Sequence, residues 1–524
     1  MVEKIQRSLK DNAGMRWLAL ILVSGLTFST YWFQDFLGGL KTIMVTDMGF
    51  TSEEFGRIIG LTTIANMFGM IIIGGMILDK WGLRVAGLLF GGLAVLGGAI
   101  TSLAAVGFFG ESHSTILNMM IVGRIFFGVG LEVTCVVATR TAVKWFKGYE
   151  LALAMAINMG FGRLGSAMGI AVSPDLVAQT ASPAISFAGT LLGIALLLFV
   201  IYIFFDIKLD KQVKSQKAAS TDIELEEEEF KFSDLFKLLK NPSFVYIALL
   251  CVAFYAAVFP FIQYAADLLV NKFGFTHQMP EGAGIVKIMG STALGTSTIY
   301  VGLFLFALGF TLIPPRFPKS IRKPVLAVIL ILFGLFIFAF RDTFQVWLNN
   351  GPKTASLIPL GTILFTPIFG NYVDKKGKAA SLMMLGSLLL IFAHLSLSVF
   401  DSVFLGYLGL VSLGIAFSLV PAAMWPSVAK IVPESRLGTA YATMFTIQNW
   451  GLGLFFWGIG AVLDLVNRDK LDAIQRGEAV YDYTIPILML VICGIISIFL
   501  SFKLKQADKR QKFGLELPSG ETPE

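Results

Sequence analysis

The sequence predicts an all-α membrane protein built from two six-helix bundles and an inserted transmembrane hairpin, fourteen spans in all. Three observations predict this. The 524-residue chain is 56% hydrophobic and only 15% charged, against about 25% charged residues in a soluble protein. Apolar stretches long enough to cross a bilayer recur along its length, and a short motif returns at matching places in its two halves. Lysine and arginine sort to one side of those stretches.

In chain order, apolar spans of adequate length fall near 17–40, 53–78, 84–108, 115–142, 149–172 and 185–206. Six more follow near 244–270, 354–373, 379–399, 402–429, 438–463 and 484–503. Each holds about the twenty apolar residues that a helix needs to cross roughly 30 Å of hydrocarbon. Residues 1–207 read as the first bundle and 208–243 as a cytoplasmic linker carrying the run ELEEEE and the amphipathic piece FKFSDLFKLL. Residues 244–505 read as the second bundle and 506–524 as a cytoplasmic tail.

The inserted hairpin occupies about residues 295–341. It consists of IYVGLFLFALGFTLI and VLAVILILFGLFIFAF, separated by PPRFPKSIRKP, whose prolines break the helix between them. With the N-terminus inside and fourteen crossings, thirty of the 41 Lys and Arg fall on the cytoplasmic side, nine on the other and two within spans. This positive-inside bias orients the chain with both termini cytoplasmic. Removing one hairpin span but not the other would invert every later loop and ruin the sorting.

Composition also excludes. The net charge of +6 lines one membrane face, so no nucleic-acid partner is implied. Cys135, Cys251 and Cys493 all lie inside apolar spans at no metal-binding spacing, so neither a disulfide framework nor a metal site is expected. The N-terminal segment lacks the short apolar core and cleavage site of a signal peptide, so the first span reads as a mature helix. No Asn-x-Ser/Thr acceptor occurs, which favours a prokaryotic inner membrane over a glycosylated organelle. No phosphate-binding Gly-x-x-x-x-Gly-Lys motif exists, which removes ATP-driven transport by this chain alone. A membrane enzyme would need a nucleophile–base pair or metal ligands within the spans, and none appears. A receptor or scaffold that had lost transport would not need charges at the midplane. No cofactor is expected, and the chain reads as a monomer.

The chain has such charges. Counted at 1.5 Å per helical residue, Glu132 lies about 18 Å inside the interface at Lys144, and Arg163 about 21 Å inside the interface at Tyr149. A charge at that depth costs at least about 2.5–3.5 kcal/mol and is kept for a partner, a cavity or a substrate. Glu132 can accept from an ammonium, and Arg163 can form a two-pronged contact to a carboxylate that lysine could not reproduce. The plainer alternative is a structural ion pair between Glu132 and Arg124 or Arg163. Arg124 itself reads as structural. Asp35 lies nearer the outer face, where gating competes with ligand contact. In the second half Tyr255, Gln263, Trp425, Gln448 and Asn449 are the polar or amphipathic candidates to face a cavity. Adjacent amides at 448 and 449 in an apolar helix need partners. His394 reads as a packing residue, and His113 and His277 as outer-loop residues.

The motif repeat is Gly75-x-x-x-Asp79-Lys80-x-Gly82 followed by Arg84, and Gly370-x-x-x-Asp374-Lys375-x-Gly377 followed by a lysine. It suits a cytoplasmic latch: the glycine allows close helix approach and the aspartate accepts from a helix N-terminus or a basic side chain. With the six-plus-six repeat and Arg124-x-x-x-Gly128, this twin motif resembles the major facilitator superfamily over nearly the whole chain apart from the hairpin. GVGLEV, KWFKGYEL, GRLGS, FYAAVFPFI, MWPSVAKIVPE and LGTAYATMFTIQNWGLG further resemble its lysosomal dipeptide uniporter branch. That resemblance implies a helix-4 glutamate and a helix-5 arginine holding the two ends of a dipeptide, matching Glu132 and Arg163, with Tyr31 and Asp35 fitting a Tyr-x-x-x-Asp on helix 1. The expectation is a secondary transporter of dipeptides working by alternating access. Small organic anions or other small metabolites are the alternative cargo, and proton coupling through Glu132 or Asp35 stays open.

Overall fold

The computed structural model describes residues 9–178, 180–217, 232–280, 282, 284–433 and 436–518. The run ELEEEE therefore lies outside the described residues. Regular structure among the described residues is helical, apart from two isolated bridges. In order the α-helices are α1 Ala13–Met48, α2 Ser52–Gly60, α3 Ile64–Met67, α4 Met70–Ala105, α5 His113–Phe146, α6 Leu151–Val172 and α7 Ser182–Lys217. They continue as α8 Phe232–Leu239, α9 Pro242–Phe273, α10 Thr292–Leu312, α11 Arg322–Ala339, α12 Arg341–Leu348, α13 Gly351–Ala355 and α14 Leu357–Lys376. The last are α15 Ala379–Ser398, α16 Val403–Ile431, α17 Leu437–Val466, α18 Leu471–Gln475 and α19 Thr484–Gln511.

Twelve stretches of helix are long and apolar enough to cross a membrane among the described residues, including both helices of the expected hairpin. Two expected spans are built differently from a plain membrane helix. The span expected at 53–78 is segmented: α2 ends in a 3-10 turn over Leu61–Thr63, α3 is one turn long, and Gly69 in the left-handed region (φ 81°) precedes α4. α6 is 22 residues long and carries Arg163. The helix expected to end near 206 continues to Lys217, so the linker begins later than the sequence suggests.

Local chemistry sets the helix ends. Asn12 caps α1 by accepting from Met15 N–H, and Gly49 closes it with φ 68°. Thr51 and Glu54 form a reciprocal capping box at the start of α2. The two repeated motifs share a backbone signature. Gly82 (φ 78°) interrupts α4, and Gly377 (φ 69°) ends α14, so the last glycine of each motif makes the break between consecutive helices. Only glycine adopts that conformation without strain.

Helices α1, α4, α5, α6 and α7 pack chiefly on one another, as do α9, α14, α15, α16 and α19, whereas α17 crosses between the halves, lying against the broken α2–α3 segment as well as against α9. Glycines bring backbones together: a Cβ on Gly128 of α5 would sit 1.8 Å from the Thr62 carbonyl. α11 buries only Ile329, while α10 packs on α6 and α14. After α19 the chain folds back. Lys378 and Ala379 N–H donate to the carbonyls of Glu516 and Leu515 at 3.1 and 3.0 Å, which covers Gly377 with the tail.

Candidate substrate-binding cavity

A cavity of about 230 Å3 lies between the two halves. From the first half it is lined by Tyr31 and Gln34 of α1, by Thr62, Thr63 and Asn66 around the broken α2–α3 segment, and by Leu131, Glu132, Met159 and Arg163. From the second it is lined by Tyr255 and Phe259 of α9, Trp425 of α16, and Phe445, Gln448, Asn449, Leu452 and Phe456 of α17.

Both charged side chains of the lining come from the first half. Glu132 of α5 makes no ion pair with Arg124, Arg163 or any other described residue. Arg163 of α6 likewise pairs with no carboxylate among the described residues. Its guanidinium lies over the Phe417 ring of the second half, 4.4 Å from the centroid. Arg124 is fully buried and is held by uncharged oxygens: it donates to the Phe33 carbonyl at 2.5 Å, the Gln34 carbonyl at 3.2 Å and Thr62 Oγ1 at 3.1 Å. The alternative of a Glu132 ion pair therefore finds no support in the geometry.

The second half supplies an aromatic wall. Trp425 stacks on Phe445 with centroids 4.8 Å apart, and its Nε1–H donates to Tyr255 Oη at 3.0 Å. Tyr255 stacks in turn on Phe259 at 5.4 Å. Each ring fixes the next, so the wall presents a defined surface.

A sequence profile described as Major Facilitator Superfamily matches residues 18–352 and 353–521. The chain belongs to the major facilitator superfamily. It is a membrane transporter and not an enzyme. Proteins named lysosomal dipeptide transporter MFSD1 are 26% identical to it in Danio rerio, over 86% of this chain and 81% of that one. The Homo sapiens protein of that name is also 26% identical, over 86% of this chain and 80% of its own length. Among solved structures, a bacterial homologue of the lysosomal transporter Spinster aligns with a TM-score of 0.59 at 12% identity, covering 95% of this chain and 99% of that one. A D-xylose–proton symporter aligns with a TM-score of 0.57 at 13% identity, covering 98% and 100%. These structural likenesses carry the fold.

Within this superfamily fold, two expected site residues stand apart from the cavity lining. Asp35 and Gln263 are both buried, and Gln263 Nε2 donates to Asp35 Oδ1 at 2.6 Å. Ser166 Oγ donates to the other Asp35 oxygen. Asp35 thus ties α1 to α6 and to α9, at the junction of the halves. Sequence reasoning missed Gln34, Thr62, Thr63 and Asn66 of the lining. Asn66 carried a signal, a lone amide in an apolar span, but the chain break that turns it inward was not legible. His394 packs as expected: it is fully buried, its Nδ1 lies 2.9 Å from the Leu390 carbonyl, and its ring meets Phe261 edge-on.

The far side, where α1 runs into α2 and where the loop after α9 lies, is closed by polar contacts between the halves. Lys41 pairs with Asp267 at 2.7 Å and Lys353 with Asp175 at 2.6 Å, all four side chains being buried. Asp464 of α17 accepts from Ser52 and Glu53 N–H at the start of α2, at 3.1 and 2.6 Å. His277, in the loop after α9, faces the Gly39 carbonyl across the halves at 2.8 Å. Of the latch residues, Asp79 pairs with Arg140 of its own half at 2.5 Å and Arg84 with Asp206 at 2.7 Å. Lys80, Asp374 and Lys375 are exposed, and Cβ atoms on Gly75 or Gly370 would meet nothing within 4 Å.

Proposed function

We propose that this transporter carries dipeptides across the inner membrane by alternating access, with Glu132 receiving the ammonium and Arg163 the carboxylate. One observation carries the reading: a carboxylate and a guanidinium share one cavity between the halves, and neither forms an ion pair among the described residues. Opposite charges this buried are expensive unless paired. A zwitterion with its charges several ångströms apart neutralises both at once. A small organic anion would satisfy Arg163 and leave Glu132 unanswered. The names of the relatives at 26% identity agree with this cargo.

Alternating access would rock residues 1–207 against 244–505 about this site, with the described geometry as the state closed on the far side. In that scheme the two Gly-x-x-x-Asp-Lys-x-Gly segments latch the cytoplasmic side in the opposite state. In this reading the hairpin of α10 and α11 adds two crossings to the twelve of the bundles, which keeps both termini cytoplasmic, and the protein works as a monomer. Asp35 fits a gating role between the halves, and coupling to protons would run through it or Glu132.

The experiment is a thermal-shift series on purified protein. Dipeptides should stabilise it, whereas free amino acids and N-acetylated dipeptides should not. Glu132→Gln and Arg163→Lys should each fold normally and lose most of that stabilisation. Equal shifts from acetylated and free dipeptides would remove the role of Glu132 and leave an anion carrier.

A further inference from the structure

The second half supplies no charge to the cavity lining, yet it does supply two adjacent carboxamides, Gln448 and Asn449, 6% and 2% exposed. Each is tethered by one end only. Gln448 Oε1 accepts from Cys251 Sγ–H of α9 at 3.3 Å. Asn449 Nδ2 donates to the Phe445 carbonyl, one turn back on α17, at 2.9 Å. These partners set the direction of each amide, because a thiol hydrogen seeks the oxygen and a carbonyl seeks the NH2 group. The ends left facing the cavity are therefore different: an NH2 donor on Gln448 and a carbonyl acceptor on Asn449. Neither end has a partner among the described residues.

We propose that this donor–acceptor couple reads the peptide group of the substrate, Gln448 Nε2 donating to its carbonyl and Asn449 Oδ1 accepting from its N–H. The inference rests on the dipeptide reading above and deepens it. Consecutive residues on a helix diverge by about 100°, at 3.6 residues per turn. Gln448 and Asn449 therefore approach a ligand from two directions, as the opposite edges of a trans peptide group require. The Trp425 N–H of this wall is already spent on Tyr255 Oη. Division of labour follows: the first half holds the charged ends, and the second recognises the bond between them. A free amino acid loses both contacts, because it has no peptide group to offer.

An ester isostere tests this, since it keeps both termini and both side chains and replaces only the peptide N–H by oxygen. On the wild-type protein the dipeptide should bind about 5- to 150-fold more tightly than its ester, the range spanned by leaving one buried acceptor unpaired. In Asn449→Leu the ratio should fall to near one, because the acceptor is gone. Gln448→Met should weaken dipeptide and ester alike, since both keep the carbonyl. Equal affinity of the wild type for dipeptide and ester would overturn this inference while leaving dipeptide transport intact. Failure of every dipeptide to bind would overturn both. The wild-type comparison stands even if a substituted chain does not fold.

Discussion

Lys41 of α1 and Asp267 of α9 form a buried ion pair between the two halves, Nζ to Oδ2 at 2.7 Å, with 0% and 2% of the side chains exposed. Thr42 Oγ1 donates to the other carboxylate oxygen at 2.6 Å, Tyr483 Oη also donates to Asp267, and the ammonium lies 4.6 Å from the Tyr481 ring centroid. Removing one partner strands the other. Lys41→Met should cost the far-side-closed state about 3–5 kcal/mol, whereas replacing both partners by apolar residues should cost much less. Labelling of a cysteine at Gln34 by an impermeant reagent added on the far side should rise in Lys41→Met and fall back in Lys41→Met/Asp267→Leu. No change in the single variant would remove the pair from the gate.

Closure should also depend on pH. His277 lies in a loop outside the spans, its Nε2–H donates to the Gly39 carbonyl, and its Nδ1 is buried without a partner among the described residues. Burial lowers its pKa below the ordinary imidazole value, against the opposing pull of the Gly39 hydrogen bond, Asp267 and Asp175 and with that of Lys353. A depressed histidine pKa means that closure is fully stable above about pH 6.5 and weakens as the pH falls below it. Far-side labelling of the cysteine at Gln34 should therefore increase on acidification. His277→Asn, which can still donate to Gly39 but does not titrate, should flatten that increase; an unaltered pH profile would exclude His277.

A steric counterpart needs no charge. A Cβ on Gly460 of α17 would sit 2.0 Å from the Ser52 carbonyl at the start of α2. Gly460→Ala should therefore wedge the far side apart at a cost of about 1–3 kcal/mol to the closed state, the usual scale of overpacking. The same labelling assay reads it. Gly75→Ala, where the added carbon meets nothing in this state, should leave far-side closure unchanged.

The latch makes an opposite demand. Asp79 pairs with Arg140 within its own half, and both side chains are about half exposed. Such a pair is worth at most about 1 kcal/mol to folding. Asp79→Asn should accordingly leave the melting temperature nearly unchanged and shift the population toward the far-side-closed state by about 1–3 kcal/mol. A population insensitive to this change, measured by distances between spin labels on the two halves, would take the latch role from the motif.

For the hairpin, a cysteine introduced at Lys319, between α10 and α11, should label only from the cytoplasmic side of intact cells. Labelling from outside would break the fourteen-span arrangement.

Much of this protein was legible in its sequence because bilayer physics is one-dimensional. Span length depends on position along a helix and follows from counting residues, and the charge sorting and the depth of Glu132 and Arg163 are expectations drawn from the same count. The repeated motif was legible for a related reason: its final glycines, Gly82 and Gly377, take the same left-handed backbone break. Direction around a helix axis and contact between distant helices are not written that way. Asp35, read as nearer the outer face, and Gln263, read as a candidate to face a cavity, are turned by tertiary packing toward each other and Ser166. Asn66 and Thr62 enter the cavity lining because the second span is broken by a 3-10 turn and Gly69, which hydropathy averages over. Whether Glu132 and Arg163 spend their charges on each other was likewise beyond the sequence. It depends on how α5, α6 and the second half meet in space, and that meeting leaves both charges facing one cavity.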